Sequence, residues 1–235
     1  MKRLLFFAAM LALTAGMMYF GVWPINNPAH PVKGVDVSHY QGEIDWEALA
    51  SQGLSFAFIK ATEGSASVDE RFAANLEGAR AAGLRTGAYH FFSYDSPGAA
   101  QAAHFIETVP GLPGMLPPVI DVEFYGAYDR HPADAETVLP QLRDMVAQLR
   151  AHYGRTPVLY ATGRAYRLYI EGHFDDCAVW IRNVLGVPHE GWTFWQYTDR
   201  ARLKGYSGDT PYIDMNVFSG DAAAFEKFAE GNQSE

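Results

Sequence analysis

The sequence alternates between short apolar runs and longer stretches in which apolar residues recur every three or four positions. Runs of five to nine residues that are rich in Val, Ile, Phe and Tyr, bounded by Gly, Pro or polar residues, are typical of β-strands. Eight such runs predict eight strands. They cover residues 33–38, 56–62, 84–92, 118–123, 157–161, 178–182, 193–197 and 212–218.

Stretches with helical spacing follow the first five predicted strands. Asp45 and Asp69 are favourable N-cap residues for two of them, and Pro140 is expected to kink or divide the longest one. After residue 170 the links between strands are too short, or too rich in Gly and Pro, for full helices. Helices are predicted over residues 45–53, 69–83, from 96 onward, 133–153 and 164–170.

Five β–α units followed by three strands predict an α/β fold. The expected architecture is a closed, mostly parallel, irregular TIM-like barrel of the form (β/α)5(β)3. The barrel is expected over residues 31–222, with residues 223–235 forming the end of a C-terminal helix and a polar tail. A chain of 235 residues that is 49% hydrophobic is large enough for one such core.

The first 30 residues have the pattern of an export segment. Lys2 and Arg3 precede an uncharged, mostly apolar run from Leu4 to Trp23, which is long enough to cross a bilayer at about 20 residues per span. This length favours an uncleaved anchor in the inner membrane, with a cleaved signal peptide as the alternative. Because the basic start is expected to stay in the cytoplasm, the rest of the chain is expected to be extracytoplasmic.

Charge and cysteine content exclude several classes of function. The net charge is −9, and without Lys2 and Arg3 it is −11, which is opposite to the basic surface that nucleic acids require. Cys177 is the single cysteine, so an intramolecular disulfide and zinc sites built on several cysteines are excluded. Because of the negative charge, no nucleic-acid partner is expected.

Four acidic residues lie at the predicted ends of strands, where the chemistry of such barrels takes place: Asp36, Asp121, Glu123 and Asp214. Asp121 and Glu123 are two residues apart, so their side chains share one face of a strand at roughly 7 Å between Cα atoms. Burial and mutual repulsion raise the pKa of one such group, which keeps a carboxylic acid protonated near neutral pH. Glycoside hydrolysis uses a pair of this kind.

A metal site is the rival explanation for four converging acids. His39, His90 or His104 would then complete the ligand set. Their spacing does not match a clustered histidine motif, and a satisfied barrel histidine is the simpler interpretation of His90. We therefore expect no metal.

Aromatic residues are concentrated near the same strand ends. Sugar rings have apolar faces that pack on aromatic rings, and tyrosine hydroxyls bind sugar hydroxyl groups. The residues expected to contact substrate are Tyr40, Tyr89, Tyr125, Tyr160 and Trp195. Phe91 and Trp180 are expected to fill the barrel instead.

Six segments resemble, in this order, glycoside hydrolase family 25, the Chalaropsis-type lysozymes. The resemblance covers residues 33–218, almost the whole part of the chain that follows the export segment. It is carried by GVDVSHYQGEIDW (34–46), FAFIKATEG (56–64), AAGLRTGAYHFF (81–92), PVIDVE (118–123), FWQYT (194–198) and IDMNVF (213–218).

The resemblance implies hydrolysis of the β-1,4 bond between N-acetylmuramic acid and N-acetylglucosamine in peptidoglycan glycan strands, with net retention and without a metal or an organic cofactor. Glu123 matches the family's general acid and Asp121 its partner carboxylate, while Asp36 and Asp214 match the other two acids of the cleft. Asp121 is expected to act as a nucleophile or to steady the substrate's own N-acetyl oxygen. A spacing near 7 Å exceeds the roughly 5 Å of a direct nucleophile and favours the second mechanism.

Two other functions fit the same residues. One is a non-catalytic barrel that binds cell-wall glycan, although all four acids are present. The other is a chitinase-like glycosidase with the same pair of acids. One departure from the family pattern concerns Arg182-Asn183, where a small residue followed by an aromatic one is expected, so sugar contacts at this point are open.

Overall fold

The computed structural model describes residues 30–189 and 191–231. Eight strands close into a barrel, because the first strand pairs with the second as well as with the last. The seven strands before the last are parallel to one another, and the last is antiparallel to both of its neighbours. The barrel strands are β1 (Lys33–Val37), β2 (Phe56–Glu63), β4 (Arg85–Phe91), β5 (Val119–Val122), β6 (Val158–Thr162), β7 (Ala178–Arg182), β8 (Phe194–Ala201) and β9 (Ile213–Phe218), and the two-residue β3 (Ser67–Val68) extends β2 at its edge.

Helices connect the first five parallel units, and the links between the last three strands have none among the described residues. This is the predicted irregular barrel, and the prediction of the fold class is confirmed. Pro140 does not divide the longest helix, because its missing N–H removes only one hydrogen bond in the second turn. The helices are α1 (Trp46–Ala50), α2 (Phe72–Ala81), α3 (Gly98–Thr108), α4 (Ala135–Tyr153), α5 (Gly163–Ala165, continued by a π-helical turn over Tyr166–Ile170) and α6 (Ala222–Glu230).

Alternation along the strands divides the core into two parts. Outward-facing residues such as Val35, Ile120 and Leu159 pack against the helices. Inward-facing residues form a second, largely aromatic cluster inside the barrel, where Phe58 stacks on Trp180 with ring centroids 4.5 Å apart. The aromatic filling occupies the lower part of the barrel and leaves its upper end to polar side chains.

The C-terminal helix closes the floor of the barrel. Phe225 and Ala229 of α6 are buried in the same cluster as Phe56 and Phe218. The predicted boundary between residues 222 and 223 therefore falls inside a helix that belongs to the barrel core. Sequence reasoning missed this because a nine-residue helix after the last strand has the same pattern whether or not it packs on the floor.

Gly34 leaves the space that the ring of Phe56 occupies. A Cβ atom at position 34 would overlap the Phe56 ring, which is fully buried against Phe58 and Phe194. We expect Gly34→Ala to lower the free energy of unfolding by about 1–3 kcal/mol through overpacking. Urea unfolding measures the change; Gly186→Ala, at a glycine with open space around it, is the control and is expected to change stability little.

The predicted export segment lies outside the described residues, as does most of the predicted polar tail. Within residues 30–189 and 191–231 no helix is long and apolar enough to cross a membrane.

Candidate active site

The four predicted acids meet at the upper end of the barrel. Asp36 on β1 and Asp214 on β9 are directly opposite each other in the antiparallel pairing of these strands. Because β9 runs in the reverse direction, its first residues reach the rim where the parallel strands end. Asp121 is on β5 and Glu123 follows it at the strand end. All four line a cavity of about 200 Å³, together with Val37, Ser38, Tyr40, Gln41, Lys60, Tyr89, Phe91, Tyr160, Trp180 and Gln196.

Amide side chains hold Asp36 in place. Gln196 Nε2 donates to both carboxylate oxygens of Asp36, at 3.1 and 3.0 Å, and lies 3.2 Å from Asp214 Oδ2. Asn216 Nδ2 donates to Asp36 Oδ2 at 2.7 Å. The amides are fixed in turn, since Gln196 Oε1 accepts from the Tyr160 hydroxyl and Asn216 Oδ1 accepts from Trp180 Nε1. This network is suited to keep Asp36 charged and immobile.

The two opposed aspartates affect each other's ionisation. Burial raises the pKa of Asp36, while hydrogen bonds from Asn216 and Gln196 oppose that rise. Burial and the neighbouring Asp36 carboxylate raise the pKa of Asp214 well above its ordinary value. Asp214 is therefore the more readily protonated of the two, because a second negative charge beside the Asp36 carboxylate is unfavourable.

Asp121 has fewer hydrogen bonds from the protein than Asp36 has. Its Oδ1 atom is buried without a hydrogen-bond partner. Burial, followed by the charge of Glu123, raises the pKa of Asp121 well above its ordinary value, and Lys60 opposes this. A buried carboxyl oxygen without a partner is costly in the free protein, so it is available to a ligand that donates a hydrogen bond or carries positive charge.

Glu123 has the protonation behaviour of a general acid. Burial raises its pKa to about 7; the Arg182 guanidinium opposes that rise and Asp36 adds to it. A carboxyl group with this pKa is protonated in a large fraction of molecules near neutral pH, and it loses the proton readily once a leaving group has taken it. The pair of Asp121 and Glu123 thus has the chemistry that hydrolysis of a glycosidic bond requires.

Three of the five predicted substrate-binding aromatic residues line the cavity. Tyr89 and Tyr160 are inside the barrel mouth, and Tyr40 is 60% exposed on the turn that follows β1. Their exposed or inward-facing positions are compatible with contact to a sugar ring.

Tyr125 and Trp195 do not line the cavity. The Tyr125 hydroxyl bonds to Ser93, to the Tyr94 backbone and to Asp95, so it ties the neighbouring loop together. Trp195 faces outward from β8, with its indole N–H donating to the Asn183 carbonyl. Because side chains alternate along a strand, it is the neighbouring Gln196 that faces into the barrel.

Sequence reasoning missed Gln196, Asn216 and Lys60. Alternation along the strands predicts that these side chains face into the barrel. It does not predict which side chains they contact there. Lys60 lies 2.6 Å from Glu63 and faces the cavity.

The histidines considered as metal ligands have partners elsewhere. His90 is buried between Thr62 and Gln101, with ring nitrogens 2.7 and 2.9 Å from their side-chain oxygens. His39 pairs with Asp69, and His104 contacts the Ser67 carbonyl. Among the described residues no group of three or more His, Cys, Asp or Glu side chains is arranged to hold a metal ion.

We expect Asp36→Asn to reduce kcat by about 10- to 100-fold, a smaller loss than removal of a group that transfers the proton. The reason is that Asp36 supplies negative charge and contacts Gln196 and Asp214. It is not one of the two carboxyl groups at the end of β5 that are assigned to the reaction itself. Steady-state kinetics on soluble glycan fragments measure the effect, and unchanged kcat would remove Asp36 from the site.

An irregular barrel with a carboxyl pair at the rim, one of them protonated near neutral pH, is the arrangement of a glycoside hydrolase. Residues 35–206 match the family model described as Glycosyl hydrolases family 25. A family 25 glycosyl hydrolase from Bacillus anthracis superposes with a TM-score of 0.82 at 47% identity, covering 87% of this chain and 96% of that one. The chain belongs to glycosyl hydrolase family 25.

Two relatives have more specific names. The lysozyme of Streptomyces coelicolor superposes with a TM-score of 0.76 at 35% identity over 85% of this chain and 97% of its own. Lysozyme M1 of Streptomyces globisporus is 37% identical over 212 residues, which are 82% of this chain and 69% of that protein.

Proposed function

We propose that this protein is a lysozyme that hydrolyses the β-1,4 bond between N-acetylmuramic acid and N-acetylglucosamine in peptidoglycan. The observation that carries the proposal is Glu123, a carboxylic acid with a pKa of about 7, two residues after Asp121 in a family 25 barrel. The lysozymes of two Streptomyces species among its relatives support the choice of substrate.

In the proposed reaction Glu123 donates its proton to the oxygen of the leaving sugar. Positive charge then develops at the anomeric carbon of the muramoyl ring, and the ionised form of Asp121 stabilises it. The unpartnered Oδ1 of Asp121 accepts a hydrogen bond from the substrate N-acetyl group, whose carbonyl oxygen closes on the anomeric carbon. The bond from the anomeric carbon to the leaving oxygen breaks as the bond to the acetyl oxygen forms. Water then attacks the anomeric carbon and displaces the acetyl oxygen, while ionised Glu123 takes a proton from that water, so the product retains its configuration.

The remaining acids set the field in which this happens. Asp36 adds negative charge near the developing cation, and its partner Asp214 is the more readily protonated of the two. Hydrogen bonds from Gln196 and Asn216 fix Asp36 before substrate binds, so little reorganisation is needed during the reaction.

The pH profile follows from Glu123. Its acid form is required, so we expect kcat/KM to fall as pH rises through about 7. The reaction also needs ionised Asp121, whose pKa is raised, so kcat/KM is expected to fall again on the acidic side as Asp121 takes up a proton. Because Arg182 lowers the pKa of Glu123, Arg182→Gln is expected to move this alkaline limb to higher pH. A profile measured with soluble fragments tests both statements. Arg143→Gln, on the outside of α4, is the control, and an unmoved limb in Arg182→Gln would contradict the assignment.

A panel of substrates tests the proposed function against the two alternatives. Purified peptidoglycan and chitin oligosaccharides are incubated separately with the protein, and new reducing ends are counted. Cleavage of peptidoglycan and not of chitin is the expected result. Cleavage of chitin alone would favour a chitinase-like glycosidase, and co-sedimentation with peptidoglycan without new ends would favour a wall-binding barrel.

We also propose that the enzyme acts outside the cytoplasm, tethered to the inner membrane by the apolar run from Leu4 to Trp23. Val32, directly before β1, is buried in the floor cluster with Phe225, at the end opposite the acid cavity. A tether entering there would leave the cavity facing the cell wall. Fractionation of membranes with an antibody to the barrel tests this, and a fully soluble mature form would favour a cleaved signal peptide.

A further inference from the structure

A group of arginines lies on one side of the cavity mouth. Arg182 ends β7, and Arg200 and Arg202 lie at and just after the end of β8, next to Tyr212. We call Arg182, Arg200, Arg202, Asp199 and Tyr212 the arginine rim. The rim adjoins the cavity lining at two points. Arg182 is near enough to Glu123 to lower its pKa, and Gln41, which lines the cavity, donates a hydrogen bond to the Tyr212 carbonyl.

Contacts within the rim orient the guanidinium groups. Arg182 Nη2 lies 2.5 Å from Asp199 Oδ2, and Arg200 Nε lies 3.9 Å from the other oxygen of Asp199. The guanidinium carbons of Arg200 and Arg202 lie 5.9 and 5.1 Å from the centre of the Tyr212 ring. Stacking on an aromatic ring and pairing with one carboxylate reduce the entropy that these long side chains lose when they bind an anion.

The rim is cationic in an acidic protein. Its three arginines and one aspartate give a net charge of +2, whereas the whole chain carries −9. Its field reaches the reacting groups, since Arg182 lowers the pKa values of both Glu123 and Asp214. Lys60, another cation at the cavity, lies 2.6 Å from Glu63, which neutralises its charge.

In the proposed function a muramoyl ring lies beside Glu123, and its lactyl group carries a peptide stem that extends beyond the ring. The stem bears free carboxylates, which match planar guanidinium groups in geometry and charge. We propose that the arginine rim binds carboxylates of the peptide stem and so selects glycan strands that carry stems. This inference rests on the proposed function, since it assigns a binding role at the same site.

The test compares two forms of one substrate. Soluble glycan strands with peptide stems are first acetylated on their amino groups; in half of the sample the carboxylates are then converted to primary amides with carbodiimide and ammonium chloride. For the wild-type protein kcat/KM is expected to be about tenfold higher on the carboxylate form, the effect of two solvent-exposed ion pairs. The preference is expected to fall as ionic strength rises.

The variant Arg200→Gln/Arg202→Gln is expected to bring this ratio close to one. Its control is Arg143→Gln/Lys227→Gln, which removes the same charge from α4 and from α6 on the floor and should keep the wild-type ratio. Circular dichroism verifies that each variant is folded, and the salt dependence of the wild-type ratio provides a test that needs no variant.

The two proposals fail in different ways. Cleavage of both substrates with a ratio near one in the wild type, or with the same ratio in the rim variant and the wild type, would overturn the arginine rim as a stem-binding site. Cleavage of neither substrate by the wild type would overturn the proposed function, and the inference with it. A wild-type ratio that does not change with salt would also contradict an ionic contact.

Discussion

Glu123→Gln is expected to lower kcat on peptidoglycan by about 10³-fold or more, because glutamine cannot donate a proton to the oxygen of the leaving sugar. The change keeps the size of the side chain and its place after β5. Burial, which raises the pKa of Glu123 to about 7, favours a neutral side chain, so glutamine fits the site as well as the protonated acid does. The loss should therefore appear in kcat and not in substrate binding.

Stability provides the control for this variant. The folded state raises the pKa of Glu123 from 4.5 to about 7, so the folded protein holds the proton more tightly and the wild type loses stability as pH rises between these values. Glutamine does not titrate, so at pH 8 the variant is expected to be more stable than the wild type by about 1–3 kcal/mol. An inactive variant that is also less stable would indicate misfolding, and wild-type kcat would show that Glu123 is not the acid.

Asp121→Asn is expected to lower kcat by about 10²- to 10³-fold, the size of effect that follows when one preorganised charge is removed from a transition state. The amide cannot carry negative charge opposite the anomeric carbon. It does retain an oxygen that accepts a hydrogen bond, so some orientation of the substrate N-acetyl group should survive. Single-turnover kinetics on soluble fragments separate the chemical step from product release.

The matched control for Asp121→Asn is Asp144→Asn, which makes the same change on the exposed face of α4 and is expected to keep full activity. A loss no larger than that of Asp36→Asn would place Asp121 among the groups that only shape the field. A trapped covalent glycosyl adduct on Asp121 in the wild type would contradict assistance by the substrate and establish Asp121 as the nucleophile.

Strand alternation made most of the barrel and of its acid cluster predictable. Asp121 and Glu123 share a face because they are two residues apart, and closure of β1 against β9 places Asp36 opposite Asp214. The direction of β9 was not apparent from the sequence, because an acid at the start of an antiparallel strand and an acid at the end of a parallel one reach the same rim.

Partners and side-chain direction were less predictable. Trp195 and Gln196 are adjacent in a short apolar run, and a shift of one residue in the assumed inward face exchanges them. The aromatic character of Trp195 suggested the cavity, yet the indole packs outside β8 and the amide of Gln196 holds Asp36. Tyr125 does not line the cavity; its hydroxyl donates a hydrogen bond to Asp95 and so holds the neighbouring loop.

Identification of the new sugar end tests the central claim most directly. Peptidoglycan is digested with the wild type and with Glu123→Gln, the new reducing ends are reduced with borohydride, and the sugar alcohols are identified after acid hydrolysis. The account predicts muramitol from the wild type and none above background from the variant. Glucosaminitol as the product, or equal amounts of muramitol from both proteins, would contradict it.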